Sequence, residues 1–209
     1  MLRERSVTFR RGLAVWGAVA ALAWLPAAAA GGGIGEPAPG FALTDSTGTA
    51  RSLAEFRGRV VVLEWFNHEC PFVRKHYDSG NMQRLQAAYT DQGVVWLTIV
   101  SSAPGKQGYL SAEQANAVIR ERGARQTALL LDPDGTVGRR YGAKTTPHLF
   151  IIDPEGRLLY AGAIDDRPST DPDDIRVATN YVQQALDEAL AGQLVSVPET
   201  KPYGCSVKY

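Results

Sequence analysis

The stretch "VVVLEWFNHECPFVRKHY", Val60 to Tyr77, opens as an unbroken apolar, β-branched run and closes as a helix, with Cys70 at the junction. An apolar run of this kind, bounded by a turn, reads as a strand buried on both faces of a sheet. Pro71 follows Cys70 directly and suits the first helical position, where its missing N–H would have had no partner anyway. A thiol at that junction meets the positive end of the helix dipole and unpaired backbone N–H groups, which both favour thiolate. Arg74, His68 and His76 lie near enough along the chain to add positive charge. An isolated Cys-Pro pair would read as a buried structural cysteine, but the strand-to-helix placement makes Cys70 a candidate nucleophile.

Glu64 is the only charge in "VVVLEWF" and precedes Cys70 by six residues on the strand that delivers it. A carboxyl group there is expected to have a raised pKa and to accept a proton from a thiol during exchange. The alternative is that it reaches solvent or pairs with a lysine.

Outward from this stretch, "GVVWLTIVS" is a second buried strand, and "NMQRLQAAYTDQG" between the two has helical spacing at Met82, Leu85 and Ala88 and ends at Gly93. "FALTDSTGTARSLAEFRGR" upstream reads as a short strand, a turn and a short helix. Downstream, "SAEQANAVIRERG" is a helix capped by Ser111, "ALLLD" a short strand, and "LFIIDPEGRLLYAGAI" a hairpin turning through Asp153 to Gly156. "DDIRVATNYVQQALDEALAG" is expected to be one last helix with Val177, Tyr181, Ala185 and Leu186 along a single face. The order gives an α/β fold in which helices flank a mixed central β-sheet. Residues 192–209 have no period and form an extended C-terminal tail, either packed as an ordered segment or mobile, that carries Cys205, the other of the two cysteines.

The first thirty residues follow a different grammar. Arg3, Arg5, Arg10 and Arg11 precede the apolar run "GLAVWGAVAALAWL", and Pro26 and "AAAA" follow it, the pattern of a signal peptide over residues 1–30. The apolar run is shorter than the roughly 20 residues of a spanning helix, so cleavage is expected rather than anchoring, with residues 31–209 as the mature domain. That places the protein in the periplasm or outside the cell, with no membrane segment in the mature form. Formal charge is balanced at 22 basic and 22 acidic residues, which gives no electrostatic footprint for nucleic acid. In an oxidising compartment the two cysteines can also be a plain structural disulfide.

The strand, "WFNHECPFV", the helix and then "TTPHLFIIDPEG" resemble the thioredoxin-like superfamily, in particular its alkyl hydroperoxide reductase/thiol-specific antioxidant branch. "CPFVRKHY" together with the terminal "PYGCSVKY" is similar to bacterial peroxiredoxin-like redoxins. The resemblance implies a thioredoxin-like fold over roughly residues 36 to 191, with Cys70 at the nucleophile position. It also implies that Pro147 is the cis-proline facing that cysteine and that Glu64 is the buried acid. No cofactor or metal is implied. The departures are specific: Val73 stands where thioredoxins carry a resolving cysteine. Asn67 replaces the peroxiredoxin threonine or serine, and Pro147–His148 stand where an arginine would lead into the strand.

Three readings follow. In the first, an exported thiol oxidoreductase uses Cys70 to attack a disulfide or hydroperoxide, and Cys205 on a mobile tail resolves the product within one chain or across a dimer. Its partners are then a protein thiol or disulfide, or a hydroperoxide. In the second, Cys70 binds copper or zinc with His68, His76 or His148, His148 being the best placed beside the cis-proline. In the third, Cys70 and Cys205 form a permanent staple in a non-catalytic domain.

Overall fold

The buried runs become the middle of a sheet. The computed structural model describes Met1 and residues 32–209, so the expected signal peptide lies outside the described residues. The strands are β1 (Ala42–Asp45), β2 (Ala50–Ser52), β3 (Val61–Trp65), β4 (Val95–Val100), β5 (Ala128–Leu131), β6 (Thr145–Thr146), β7 (His148–Ile152), β8 (Leu158–Gly162) and β9 (Cys205–Ser206). The helices are α1 (Pro71–Asp78), α2 (Asn81–Thr90), α3 (Ala112–Arg122), α4 (Thr136–Tyr141) and α5 (Tyr181–Leu190). Seven strands form one sheet in the order β2-β1-β5-β4-β3-β7-β8, and β6 and β9 pair separately.

β3 runs parallel to β4, and β4 to β5, while β7 lies antiparallel on the other side of β3 and continues through the hairpin to β8. Every residue of β3 and β4 is buried, because helices cover both faces of the sheet and no alternate residue has to meet water. Alternation then sorts the side chains into two core layers. Val62 and Phe66 join Cys70, Val73, Tyr77, Trp96 and Leu186 on one face, while Val61, Leu63 and Trp65 join Val137, Tyr141 and Phe150 on the other.

The helix ends have local causes. Ser111 caps α3 by accepting from the Gln114 N–H, and Gln114 answers the Ser111 N–H, a reciprocal capping box. The chain turns between α1 and α2 at Gly80, whose φ of 74° suits glycine. The expected single C-terminal helix is two pieces: a 3-10 turn over Pro172–Arg176 and then α5. Asn180 causes the break, since its side chain caps α5 by accepting from the Gln183 N–H while its backbone bridges to Asp165. Val177 consequently falls in the gap at 66% exposure, and Val182 takes its expected place in the core.

Of the two courses open to the tail, it takes the ordered one: it is an extended segment docked on the domain at several points, with Leu194 left exposed between them. The Thr200 hydroxyl accepts from the Ala163 N–H, β9 pairs antiparallel with β6, and the Tyr209 hydroxyl donates to the Ala143 carbonyl. Close fits fix these contacts. A Cβ added to Gly162 would lie 2.1 Å from the Thr200 hydroxyl oxygen, and one on Gly138 would lie 2.6 Å from the Tyr209 ring.

Candidate active site

Cys70 is the N-cap of α1, in extended backbone with φ −70° and ψ 124°, and Pro71 occupies the first turn. Its side chain is fully buried. The thiol lies 3.0 Å from the Thr146 carbonyl oxygen, and the Thr146–Pro147 peptide is cis. The cis-proline expected from the sequence therefore stands where the resemblance implied, against the cysteine that opens the helix.

β9 closes the site. Thr146 faces Cys205 in the β6–β9 register, and the Cys205 Sγ lies 2.8 Å from the Cys70 Sγ, with both cysteines free. The two thiols thus meet within one chain. Gly204 makes this approach feasible: its φ of 136° is left-handed territory, and a Cβ there would sit 2.1 Å from the Thr146 carbonyl oxygen.

The two thiols differ electrostatically. Burial pushes the Cys70 thiol up, but the Cys205 thiol, the Thr146 side chain and the backbone N–H groups of Val73 and Cys205 stabilise its thiolate and bring the net shift down. Cys205 is pushed up to about 11 by burial first and then by Cys70. One proton can therefore be shared across the pair, with Cys70 the sulfur that ionises first.

Glu64 lies in the same core layer, fully buried. Tyr77 donates to its Oε1 at 2.9 Å, while Trp96, Thr98 and Gln86 donate to Oε2 at 2.8, 3.2 and 3.3 Å. The alternative of solvent exposure or a lysine partner is therefore excluded. Burial raises its pKa despite these donors, which partly offset the lost hydration.

The histidines are not brought together. His148 lies 4.4 Å, centroid to centroid, from the Phe150 ring in the opposite core layer, and its Nδ1 accepts from the Lys144 N–H, so the expectation that it faces Cys70 is overturned by strand alternation. His76 is buried beneath the tail, held neutral with a pKa of about 3 by burial and then by Lys75. His68 lines a polar cleft of about 720 Å³ with Glu69, Arg74 and Arg122. Among the described residues no group of three or more His, Cys, Asp or Glu side chains could hold a metal ion.

Sequence reasoning missed the groups that seat the tail: Thr146, Asp165, Tyr203 and Gly204. The one signal available was "PYGC", a glycine directly before the cysteine. The partner of Tyr203 lies about forty positions away on another segment, and no local pattern announces such a pairing.

The AhpC/TSA family model matches residues 34–161. The chain is 24% identical over 129 residues to the thiol-disulfide oxidoreductase ResA of Bacillus thuringiensis, an alignment spanning 60% of this chain and 67% of the relative. Among solved structures, an uncharacterized conserved protein from Geobacillus kaustophilus superposes with a TM-score of 0.71 at 30% identity, covering 85% of this chain and 92% of the other. A putative thiol:disulfide interchange protein DsbE from Chlorobium tepidum superposes with a TM-score of 0.51 at 28% identity, over 62% of this chain and 84% of the other. Family, curated relative and structural neighbours converge on the thioredoxin-like fold.

Proposed function

The chain belongs to the AhpC/TSA family, and from that premise we propose that it is an exported thiol-disulfide oxidoreductase whose working pair is Cys70 and Cys205. The observation that carries this reading is the 2.8 Å approach of the two free sulfurs beside the cis-proline loop. Residues 31–209 act as one redoxin unit that supplies its own second cysteine from the tail, 192–209, and residues 1–30 act as the signal peptide. Support for export comes from the arginines and the short apolar run at the N-terminus. Among the described residues no helix is long and apolar enough to cross a membrane.

In the exchange, the Cys70 thiolate attacks one sulfur of a substrate disulfide; a bond forms between Cys70 and that sulfur, and the other substrate sulfur leaves as thiolate. Cys205 then attacks the Cys70 sulfur, closes the internal disulfide and releases the second substrate thiolate. The substrate gains two electrons and the protein loses them. A dithiol partner reverses the change by the same kind of exchange and resets the pair. Glu64 takes up or returns a proton in the core layer behind Cys70, and Pro147 holds the Thr146 carbonyl against the thiol.

A protein disulfide fits as substrate better than a hydroperoxide. Asn67 uses its Oδ1 to accept the Glu69 N–H, and Pro147–His148 supply no guanidinium to polarise a peroxide oxygen. Stopped-flow fluorescence of the reduced protein against an oxidised dithiol protein and against hydrogen peroxide tests this choice. Fast oxidation by the disulfide alone, with mass spectrometry locating a Cys70–Cys205 bond, is the expected result. Fast oxidation by peroxide alone would make a hydroperoxide the substrate, and a Cys205 that remains a free thiol throughout would remove it from the mechanism.

A further inference from the structure

A second buried polar cluster takes no part in the exchange. Lys75 and His76 come from α1, Asp165 follows β8, and Tyr203 stands in the tail two residues before Cys205. The Lys75 side chain is fully buried and that of Asp165 is 2% exposed, with Nζ 3.7 Å from Asp165 Oδ2 and donating to the Arg167 carbonyl at 2.9 Å. His76 Nε2 lies 3.8 Å from the same Oδ2, and its Nδ1 faces the Asn81 side-chain amide at 2.9 Å.

A charge pair this deep is tolerated only where the remaining acceptor sites are filled. Asp165 Oδ1 accepts the Arg167 N–H at 2.9 Å and also the Tyr203 hydroxyl, which lies 3.4 Å from His76 Nε2. The Tyr203 ring completes the seat, edge-on to Phe72 at 5.8 Å and with Lys75 Nζ at 5.8 Å from its centroid. Phe72, Lys75 and His76 all belong to α1, the helix that Cys70 opens. One rigid element therefore carries both the reactive thiol and the receptor for the tail.

Resting on the Cys70–Cys205 reading above, we propose that Tyr203 is a positioning residue. Its hydroxyl, docked on Asp165, fixes the tail on α1 and so sets the effective concentration of the Cys205 sulfur at Cys70. Intramolecular thiols exchange in proportion to that concentration, so a looser tail makes the internal disulfide easier to reduce. Thr200 and Tyr209 hold the tail further from the cysteine, whereas Tyr203 is one residue removed from Gly204 and the close approach to Thr146.

The experiment equilibrates the full chain in glutathione redox buffers. Tyr203→Phe, which removes one hydroxyl and keeps the ring, should lower the equilibrium constant for the Cys70–Cys205 disulfide about tenfold, equivalent to a potential about 30 mV less negative. In a Cys205→Ser background the same change should speed iodoacetamide alkylation of Cys70 by a similar factor, because the cover opens more often. Tyr203→Trp, which keeps an aromatic ring without the hydroxyl, should shift both readings in the same direction and serves if the phenylalanine variant folds poorly. An equilibrium constant within about twofold of wild type in either folded variant overturns the positioning role and leaves the dithiol pair standing. A wild-type protein that forms no Cys70–Cys205 disulfide in these buffers overturns the reading beneath it as well.

Discussion

The Sγ atoms of Cys70 and Cys205 lie 2.8 Å apart although 135 positions separate them in the chain. A disulfide needs about 2.05 Å between sulfurs. Bond formation from this arrangement is a small local movement, with no rearrangement of the sheet.

The first prediction concerns the order of ionisation. The Cys205 thiol is among the groups that stabilise the Cys70 thiolate. Cys205→Ser should therefore change the Cys70 titration, and a full loss of the contact in Cys205→Ala should move it upward. Thiolate absorbance at 240 nm against pH measures this. In the wild-type protein, ionisation should occur in two steps, the first below the ordinary thiol value and the second near 11. A single step at the ordinary value in wild type would contradict the coupling.

Glu64 should give stability a pH dependence of known sign. Its folded pKa is raised above the ordinary 4.5 by burial, so the native state holds this proton more tightly than the unfolded chain does. The contribution is fully present below the unfolded value and is lost as pH rises through the folded one. Glu64→Gln lacks the proton and should gain on wild type as pH rises through that window, by about 1.4 kcal/mol for each unit of the raised pKa. Urea unfolding across the window reads it. Glu64→Ala, which strands the Trp96 N–H and Tyr77 hydroxyl, should cost about 3 kcal/mol below that window and progressively less as pH rises through it, since alanine does not titrate either.

Gly204 should tolerate no side chain. Alanine there meets the Thr146 carbonyl oxygen at 2.1 Å and must adopt a φ of 136°. Gly204→Ala is expected to lift β9 from β6 and expose Cys70, so that iodoacetamide modifies the reduced protein at least about tenfold faster. The melting temperature should fall by only a few degrees, because the seven-stranded sheet does not depend on this pairing.

Tyr209 anchors the far end of the tail. Its ring packs on Gly135 and Gly138, the Arg139 guanidinium lies 4.6 Å from the ring centroid, and its hydroxyl donates to Ala143. Tyr209→Ala should cost about 1–2 kcal/mol. Hydrogen exchange should locate that loss in the β9 amides, with the β3 and β4 amides unchanged.

The placement of Cys70 and Glu64 was legible in the sequence because it is local. Cys70, Pro71 and Glu64 lie on one strand-to-helix unit, whereas the cis peptide before Pro147 was expected only through the family resemblance of "TTPHLFIIDPEG". The buried central strands were legible for the same reason, since a run of β-branched residues with no polar alternation has few places to go. The tail was not. Its order comes from Thr200, Tyr203 and Tyr209 entering seats built by residues far away in the chain, and a segment with prolines and no period gives no sign of them. The last helix was misread at Val177 because helical spacing continues through the break, while the competing bridge from Asn180 to Asp165 is a tertiary contact.

The span between the two sulfurs has a thermodynamic consequence. Joining Cys70 to Cys205 turns 135 positions of chain into a ring that contains most of the sheet. A cross-link over so long a loop removes chain entropy from the unfolded state worth roughly 5 kcal/mol at 25 °C. On the proposed pairing, redox state and heat resistance form one linked equilibrium: the oxidised protein would melt later, and in turn the thiols of the folded domain would give up electrons to a partner disulfide more readily than those of the unfolded chain. Warming the protein toward its melting point would on this account also shift its poise as an oxidant, which makes the domain's folding free energy part of its redox couple.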